Sequence, residues 1–372
     1  MKSKKKQTVF VALSGGVDSA ATAGLLKKQG YSVVGVFMRQ FDVSNVSKED
    51  TSQLACSWEF DRRSAMSAAA TLDIPFKEWD FRKQYHKEVV NYMFREYKAG
   101  RTPNPDAMCN KYIKFDAFLK KALKEGADYI ATGHYVRCKQ SVVSSKQKAE
   151  KRKEYKLYQA KDKDKNQSYF LYSLAQEQLK YCLFPLGEYL KSDVRKMAKK
   201  FGLPQWNKKD SQGICFVGKI PMKDYLQTKI PMKPGALTTV DGKVVGTHHG
   251  AAYYTIGQRH GLGFVGGDDP YYVVSKDMKH NVVFVAKGNA KELYKKDIKV
   301  SDMHWISGIQ PVLPMECSAG IRYRQPLQRA VVTIIHHSSF LIQFNKPQRA
   351  VTPGQAIVFY KGQEMVGGGI IL

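Results

Sequence analysis

The sequence predicts an α/β protein, a doubly wound parallel sheet at the N-terminus followed by an all-β C-terminal part, and three observations predict it. A β-branched run, Thr8 to Leu13, enters the glycine turn Ser14-Gly15-Gly16-Val17-Asp18-Ser19, and a helical pattern follows from Ala20 to Lys28. Apolar strands then alternate with helical patterns up to about residue 220, the order of a parallel sheet covered by helices. Beyond that point short alternating strands broken by glycines take over, at a spacing that implies a small barrel or sandwich.

Taken in order, Ser32 to Met38 reads as a second buried parallel strand and Asp61 to Leu72 as a helix leading to Ile74-Pro75. The polar stretch Asp42 to Cys56 reads as an irregular loop. Phe81 to Tyr97 is helical and runs into Gly100 to Asn110, where Pro103 and Pro105 forbid helix until a new one starts near Asp106. Ala127 to Thr132 is a further strand, ending in Gly133-His134-Tyr135. Between Lys139 and Lys156 basic residues dominate, the pattern of a solvated hairpin tip. Lys165 to Leu171 passes from polar to apolar and suits the cap of a helix continuing through Gln176. Lys191 to Phe201 is an amphipathic helix ended by Gly202. Ile220 to Thr228 is a short helical piece and Pro231 to Pro234 a linker. From Lys299 onward the pattern is wholly β, with strands expected at Ala319 to Tyr323, Arg329 to His336, Phe340 to Phe344, Ala356 to Tyr360 and Glu364 to Ile371.

A chain of 372 residues is too long for one compact core and suggests two or three domains. Its 60 Lys+Arg against 33 Asp+Glu leave a net charge of +27, so a polyanion is the expected partner, with salt-sensitive binding. A generally basic, solubilising surface would account for the same charge. No apolar run is long enough for a membrane span and no signal-peptide core precedes the first strand. Cysteines at 56, 109, 138, 182, 215 and 317 are too scattered for a disulfide framework, which fits a reducing cytoplasm where a single thiol can be chemical.

The glycine turn is the strongest chemical feature. A strand running into a helix N-terminus aims several backbone N–H groups and the positive end of the helix at one point, which suits a phosphate. Gly15 and Gly16 permit close backbone approach, Ser14 and Ser19 supply hydroxyls, and Asp18 can hold a loop amide or a Mg²⁺. There is no Gly-Lys-Ser/Thr of a Walker loop; the cradle resembles the SGGxDS loop of the ATP pyrophosphatases, which split ATP between its α and β phosphates. Met38 ends a strand where an adenine would lie, or is ordinary core, and Gly133 ends another. Asp106 stands three residues before Cys109 at a helix start, where the dipole favours a thiolate and the carboxyl can raise the thiol or trade protons with a substrate; a cap and a buried small hydrophobe is the plain alternative. Cys215 lies between Ile214 and Phe216 after a glycine, shielded surroundings for a reactive sulfur or for an inert one. His248-His249 and His336-His337 lack metal-ligand spacing and read as ordinary polar residues. ATP placed as AMP on an oxygen makes a leaving group that nitrogen or sulfur can displace, and two isolated cysteines in a basic chain favour sulfur delivered to RNA.

The loop SGGVDSA, with NPDAMCN, ATGHY, NQSYFL, DSQGICFVG, TIGQRHGLG, RYRQ and TPGQA in this order, resembles the bacterial tRNA-specific 2-thiouridylases over nearly the whole chain. The resemblance implies an adenine nucleotide alpha-hydrolase type of sheet in residues 1–219, a small central domain in 220–296 and a C-terminal β-barrel that contacts tRNA in 297–372. It implies thiolation at C2 of the wobble uridine of the tRNAs for Lys, Glu and Gln, with ATP and Mg²⁺ as cofactors. By it, Ala12, Leu13, Ser14, Gly15, Gly16, Val17, Asp18, Ser19, Met38 and Gly133 bind ATP. Cys109 is the nucleophile, Cys215 the persulfide carrier and Asp106 the acid/base. Asn104, Pro105 and Asp106 meet the target base, and His134, Lys165, Asn166, Gln167, Arg322, Tyr323 and Gln355 contact tRNA. The sulfur then comes as a persulfide from a sulfur-relay protein or cysteine desulfurase. An iron–sulfur cluster held by Asp106, Cys109 and Cys215 would also deliver sulfide, but the cysteine spacing does not support one. The family commonly has Asp where this chain has Asn166, and the basic segment from Lys139 to Lys156 is longer than the family leads one to expect. Two rivals remain at this level: an amide-forming ligase, for which both cysteines are dispensable, and a non-catalytic RNA-binding protein, which leaves the phosphate cradle unexplained.

Overall fold

A computed structural model describes the backbone of residues 6–40, 48–144, 151–209, 222–263, 270–336 and 339–372, and their side chains except at 48–57, 143, 144, 151, 152 and 336. The N-terminal sheet contains β1 (Thr8–Ala12), β2 (Ser32–Arg39), β3 (Phe76–Asp80) and β4 (Tyr129–Ala131). A hairpin of β5 (Val136–Ser144) and β6 (Lys151–Gln159) leaves this sheet before β7 (Cys182–Leu183) completes it. The order is β3-β2-β1-β4-β7 with every neighbour parallel. The chain moves outward from β1 in one direction through β2 and β3, and in the other through β4 and β7. The crevice at the carboxyl ends of β1 and β4 is therefore the switch point at which such sheets bind ligands.

β1 is apolar at every position after Thr8 because it is covered on both sides. Val9, Val11 and Leu13 join the core formed with α1 (Val17–Lys28), α2 (Lys48–Thr71) and the helix Lys191–Lys200. Phe10 and Ala12 join the opposite core, with the helices over 82–98 and 105–124.

Three expectations needed correction here. The loop expected from Asp42 to Cys56 is helical from Lys48 onward, since no Gly or Pro interrupts 48–71 and a helix anchored by Ala65, Ala68 and Ala69 propagates through polar sequence; residues 41–47 lie outside the description. The helix expected to continue through Gln176 is two pieces, a 3₁₀ turn Ser168–Leu171 and a short helix Gln176–Leu179. The Asn166 side chain accepts the Ser168 N–H at 3.3 Å, while Gln178 reaches back to the Ala175 N–H at 2.9 Å and starts a separate helix. The expected strand Ala319 to Tyr323 lies earlier, at Met315–Gly320; residues 321–324 turn, with Arg324 at φ +63° and the Gln325 side chain accepting from the Ile321 N–H at 3.2 Å.

After a short helix, Met222–Gln227, comes a small mixed sheet of β8 (Gly235–Thr239), β9 (Val244–His248), β10 (Tyr271–Asp277) and β11 (Val282–Lys287), in the order β10-β11-β8-β9. His248 serves this unit structurally, accepting from Gly250 N–H at 2.9 Å and meeting the Asn281 carbonyl at 3.1 Å. The last unit is a six-stranded closed barrel of β12 (Tyr294–Trp305), β13 (Met315–Gly320), β14 (Gln328–His336), β15 (Ser339–Arg349), β16 (Ala356–Lys361) and β17 (Glu364–Ile371). Pairing of β12 with β17 closes it, and Val300, Val332, Ile342, Ile357, Phe359 and Ile371 fill it. The β5–β6 hairpin is added to this wall, because β6 pairs with the start of β17 through Tyr158–Glu364 and Leu157–Met365.

Close approach explains the glycine run in β17. A Cβ on Gly368 would lie 2.6 Å from the Ile357 carbonyl oxygen and 2.7 Å from the ring of Tyr172, which belongs to the first unit. The substitution Gly368→Val is expected to cost about 1–3 kcal/mol of stability by overpacking, read as a lower urea midpoint with the slope unchanged.

Candidate active site

The glycine turn lies at the switch point. β1 ends with Ala12, buried Leu13 donates its N–H to the Val36 carbonyl at 2.8 Å, and Ser14 emerges exposed. Gly16 is the N-cap of α1, and Gly15 adopts φ +74°, the left-handed region that glycine tolerates. The Ser14 N–H donates to Ser19 Oγ at 3.1 Å, Ser19 Oγ donates to the Gly16 carbonyl at 3.2 Å, and Val17 is buried, so the turn is braced from within. From outside, Ser64 Oγ and Lys208 Nζ donate to the Gly15 carbonyl at 2.9 and 3.0 Å. With its carbonyl groups so occupied, the turn presents amides and hydroxyls, the donor set an anion needs.

Asp18 does not hold a loop amide or stand ready for a cation. Lys191 Nζ lies 2.6 and 2.7 Å from its two oxygens, and the Tyr135 hydroxyl donates to it at 2.8 Å. Lys191, on the helix after β7, and Lys208, which also pairs with Asp61 at 2.8 Å, thus put two ammonium groups beside the loop. Sequence alone offered no means of choosing them among so many lysines. Met38 lies half-buried at the end of β2, and Gly133 packs so tightly on the start of α1 that a Cβ there would lie 2.8 Å from the Ser19 nitrogen.

The second cluster sits on the helix over 105–124. The cap is Asn104, not Asp106: Asn104 Oδ1 accepts the Ala107 N–H at 3.1 Å, and Pro105 follows at the first helical position. Asp106 is half-buried in the first turn, and burial raises its carboxyl above the usual range, the nearby Lys114 ammonium opposing this. Cys109 is 2% exposed, with Gln40 Nε2 from beyond β2 at 3.9 Å from its sulfur. Burial pushes Cys138 and Cys317 up to about 12 and Cys182 well above the ordinary thiol range, so these three are protonated thiols.

Residues 132–135 join the two clusters. His134 meets Thr132 Oγ1 at 2.7 Å through Nδ1, and its ring stands 5.7 Å from that of Phe115 on the same helix as Cys109. Burial first, and then Lys114, holds its imidazole well below the usual range and keeps it neutral. The Tyr135 N–H donates to Gln167 Oε1 at 3.0 Å, while its hydroxyl reaches Asp18. Asn166 accepts from the Ala160 and Ser168 N–H groups at 3.2 and 3.3 Å; these are jobs for an oxygen that Asp shares, so the departure from the family's Asp leaves the local turn intact. Lys165 is half-buried beside it.

The barrel reaches the same place. Gln355 Nε2 donates to the Thr102 and Pro103 carbonyls, both at 2.9 Å, and fixes the segment that leads into Asn104. The Tyr323 ring packs tilted against Phe170, centroids 4.6 Å apart, and the Phe170 carbonyl accepts from Asn110, the neighbour of Cys109. Arg322 donates to the Ala350 carbonyl, and burial lowers its guanidinium from the ordinary value. Asn104, Asp106, Cys109, His134, Gln167, Tyr323 and Gln355 thus converge. Cys215 lies outside the described residues. Among the described residues no group of three His, Cys, Asp or Glu side chains could hold a metal ion, and no helix is long and apolar enough to cross a membrane.

Three family models cover the chain: a tRNA methyl transferase HUP domain over residues 7–219, a tRNA methyl transferase PRC-barrel domain over 223–287 and an aminomethyltransferase beta-barrel domain over 295–371. Full-length relatives carry thiolation in their names. The tRNA-specific 2-thiouridylase MnmA 2 of Geobacillus kaustophilus and the tRNA-specific 2-thiouridylase MnmA of Geobacillus thermodenitrificans are each 45% identical over 372 residues, all of this chain and 96% of theirs. The MnmA of Shouchella clausii is 45% identical over all of this chain and 98% of its own.

Two outcomes follow from the geometry. With Lys191 only 12% exposed at its side chain and Asp18 30%, Lys191→Met is expected to cost about 1–3 kcal/mol, short of the roughly 3–5 kcal/mol of a fully buried pair, and to weaken ATP binding, as calorimetry would measure. Because burial raises Asp106, its ionised form is a cost to the native state that is present in full above the folded value and vanishes as pH falls through that value to the unfolded one. Asp106→Asn is therefore expected to be more stable than wild type near neutral pH, with the advantage shrinking on acidification, in urea titrations at a series of pH values.

Proposed function

Because the chain belongs to the tRNA-specific 2-thiouridylase family and is a tRNA-uridine 2-sulfurtransferase, we propose that it acts on the wobble uridine of the tRNAs for Lys, Glu and Gln by adenylation followed by sulfur transfer from a cysteine persulfide. The observation that carries this reading is the joining of the phosphate loop to the Asp106–Cys109 helix through residues 132–135. An adenylating loop and a thiol on one rigid connection can serve one substrate atom in turn.

In this reading ATP lies across the turn Ser14 to Ser19, its adenine near Met38 and Gly133. The uridine enters between Asn104, Pro105 and Asp106 and the 166–170 segment, while Lys165, Asn166, Gln167, His134, Arg322, Tyr323 and Gln355 line the approach of the tRNA. Residues 1–219 then perform the chemistry, 220–296 connect, and 297–372 grip the anticodon arm. The C2 oxygen attacks the α phosphorus of ATP and pyrophosphate leaves. Asp106, its carboxyl raised above the usual range by burial and so a better proton acceptor, takes the N3 proton as C2–O gains its bond to phosphorus. The terminal sulfur of a Cys215 persulfide attacks C2 and AMP leaves. The Cys109 thiolate then attacks the Cys215 sulfur; the bond between that sulfur and the transferred one breaks, its electron pair stays on the uridine sulfur, and a Cys109–Cys215 disulfide forms. An external thiol reductant and a persulfide donor, a relay protein or cysteine desulfurase, restore the enzyme. His134, held neutral by its burial, is an uncharged wall of this connection. Lys191 and Lys208 offset the charge of the departing pyrophosphate. Both oxygens of Asp18 being taken by Lys191, this carboxylate does not fit as a Mg²⁺ ligand.

Unmodified glutamate tRNA incubated with ATP, Mg²⁺, a sulfide or persulfide source and reductant is expected to yield 2-thiouridine with wild type and none above background, at least about a thousandfold less, with Cys109→Ser or Cys215→Ser, by nucleoside mass spectrometry. Equal product from both variants would overturn the cysteine mechanism. A methylated nucleoside formed from S-adenosylmethionine would overturn the reaction class.

A further inference from the structure

The hairpin of β5 and β6 starts at Val136, directly after residues 132–135 of the site. It runs through cross-strand pairs from Val136–Gln159 to Ser144–Lys151, about 30 Å of ribbon. Only its base is held. β17 pairs with Leu157 and Tyr158, and Gln176 accepts the Tyr155 N–H at 2.8 Å while donating to the Tyr155 and Ile306 carbonyls at 2.8 and 2.7 Å. β5 ends the strand order, so among the described residues the pairs from Ser141–Glu154 to Ser144–Lys151 have no strand beside them on either edge.

A two-stranded ribbon is marginal in water, and this one carries charge that weakens it further. Residues 136–159 hold eight Lys and Arg against two Glu. Lys139 stands directly opposite Lys156, a like-charge cross-strand pair that opposes the pairing. Glu364 compensates Lys156 at 3.1 Å, and Arg137 donates to the Gln159 carbonyl at 2.6 Å. Exposed Lys139 has the Tyr158 ring 5.7 Å away, and exposed Lys153 stands opposite exposed Val142; among the described residues no carboxylate pairs with either ammonium. Alternation along the strands puts Lys139 and Lys153 on opposite faces. A flat protein partner would cover one face; a nucleic-acid backbone, with phosphates along two strands, complements cations on both.

We propose that the β5–β6 ribbon is a phosphate-binding arm, on which Lys139 and Lys153 hold the sugar-phosphate backbone of the tRNA outside the segment whose base enters the site; this rests on tRNA being the substrate. The contacts are to backbone rather than to base edges, so they add affinity and orientation without selecting a sequence. The clamp of Gln176 and the pairing with β17 fix the base of the arm to the barrel wall, so a backbone bound there is held in a set direction from residues 132–135.

The test is binding of unmodified glutamate tRNA to the full chain by fluorescence anisotropy over a series of KCl concentrations, for wild type, the double variant Lys139→Gln/Lys153→Gln and a control, Lys28→Gln/Lys200→Gln. The control removes two exposed lysines at the far ends of α1 and of the helix Lys191–Lys200, whose first turns face the site. The arm variant is expected to bind roughly tenfold more weakly, with the slope of log Kd against log salt smaller by about two, while the control keeps the wild-type values. Lys139→Glu/Lys153→Glu keeps the arm charged and gives a larger loss, and it replaces the Gln pair where that variant self-associates through the open edge. A wild-type Kd and slope in the arm variants, as an arm that serves an acidic protein would give, overturns the proposal. So does an equal loss in the control, which would assign the effect to the basic surface as a whole. Wild type that binds this tRNA without thiolating it would sink the reaction instead and leave the binding comparison standing, so the two failures are distinguishable.

Discussion

The contact on which the site depends is the seating of residues 132–135 against the first turn of α1. Gly133 touches the backbone of Asp18 and Ser19, the Tyr135 hydroxyl is bonded to Asp18, and His134 is packed on Phe115. Four consecutive residues thereby set the distance between an anion cradle and a thiol. They can do so because they leave β4, a strand buried beside β1 in the parallel sheet, so a rigid scaffold lies directly behind them. Neutral His134 belongs to the same economy: a buried imidazole bonded to Thr132 is a shaped, uncharged wall.

A second constraint is the segment over 100–104, where all three units meet. Arg101 forms a two-pronged pair with Glu96 at 2.6 and 3.0 Å, holding the segment to its own helix. The Thr102 hydroxyl meets Thr255 of the central unit at 3.0 Å, and its N–H donates to the Pro353 carbonyl of the barrel at 2.9 Å. Gln355 completes the clamp with both its amide hydrogens. This use of Gln355 differs from the direct tRNA contact that the family resemblance implies, and it leaves only its carbonyl oxygen for an RNA partner.

Much of this was legible in the residues. The strand, glycine turn and helix at the N-terminus, the alternation behind it and the closing run of β-strands are local patterns, and the structure has them. The misreadings share a cause. Asp42 to Cys56 looked like loop because it is polar, yet helix propagation needs only the absence of breakers once the far half is anchored. Residues 321–323 looked like strand because Ile321 and Tyr323 continue the alternation from Ala319, yet Arg324 and the Gln325 side chain make a turn there. Asp106 and Cys109 were readable from helix position. Lys191, Lys208 and Gln40 were not, because their contacts are with partners distant in sequence.

The union of β6 with β17 has a consequence for biosynthesis. Residues 151–159 emerge from the ribosome some two hundred residues before the strand they pair with, at 364–371. A nascent chain that has completed its parallel sheet still carries an open β-edge of net positive charge, and loop closure over some two hundred residues is needed before that edge is capped. The lysines and arginines of this hairpin repel a second copy of the same edge, the ordinary guard against strand addition. Polysomes would then be the setting in which its charge matters to the protein itself, before any substrate has been met.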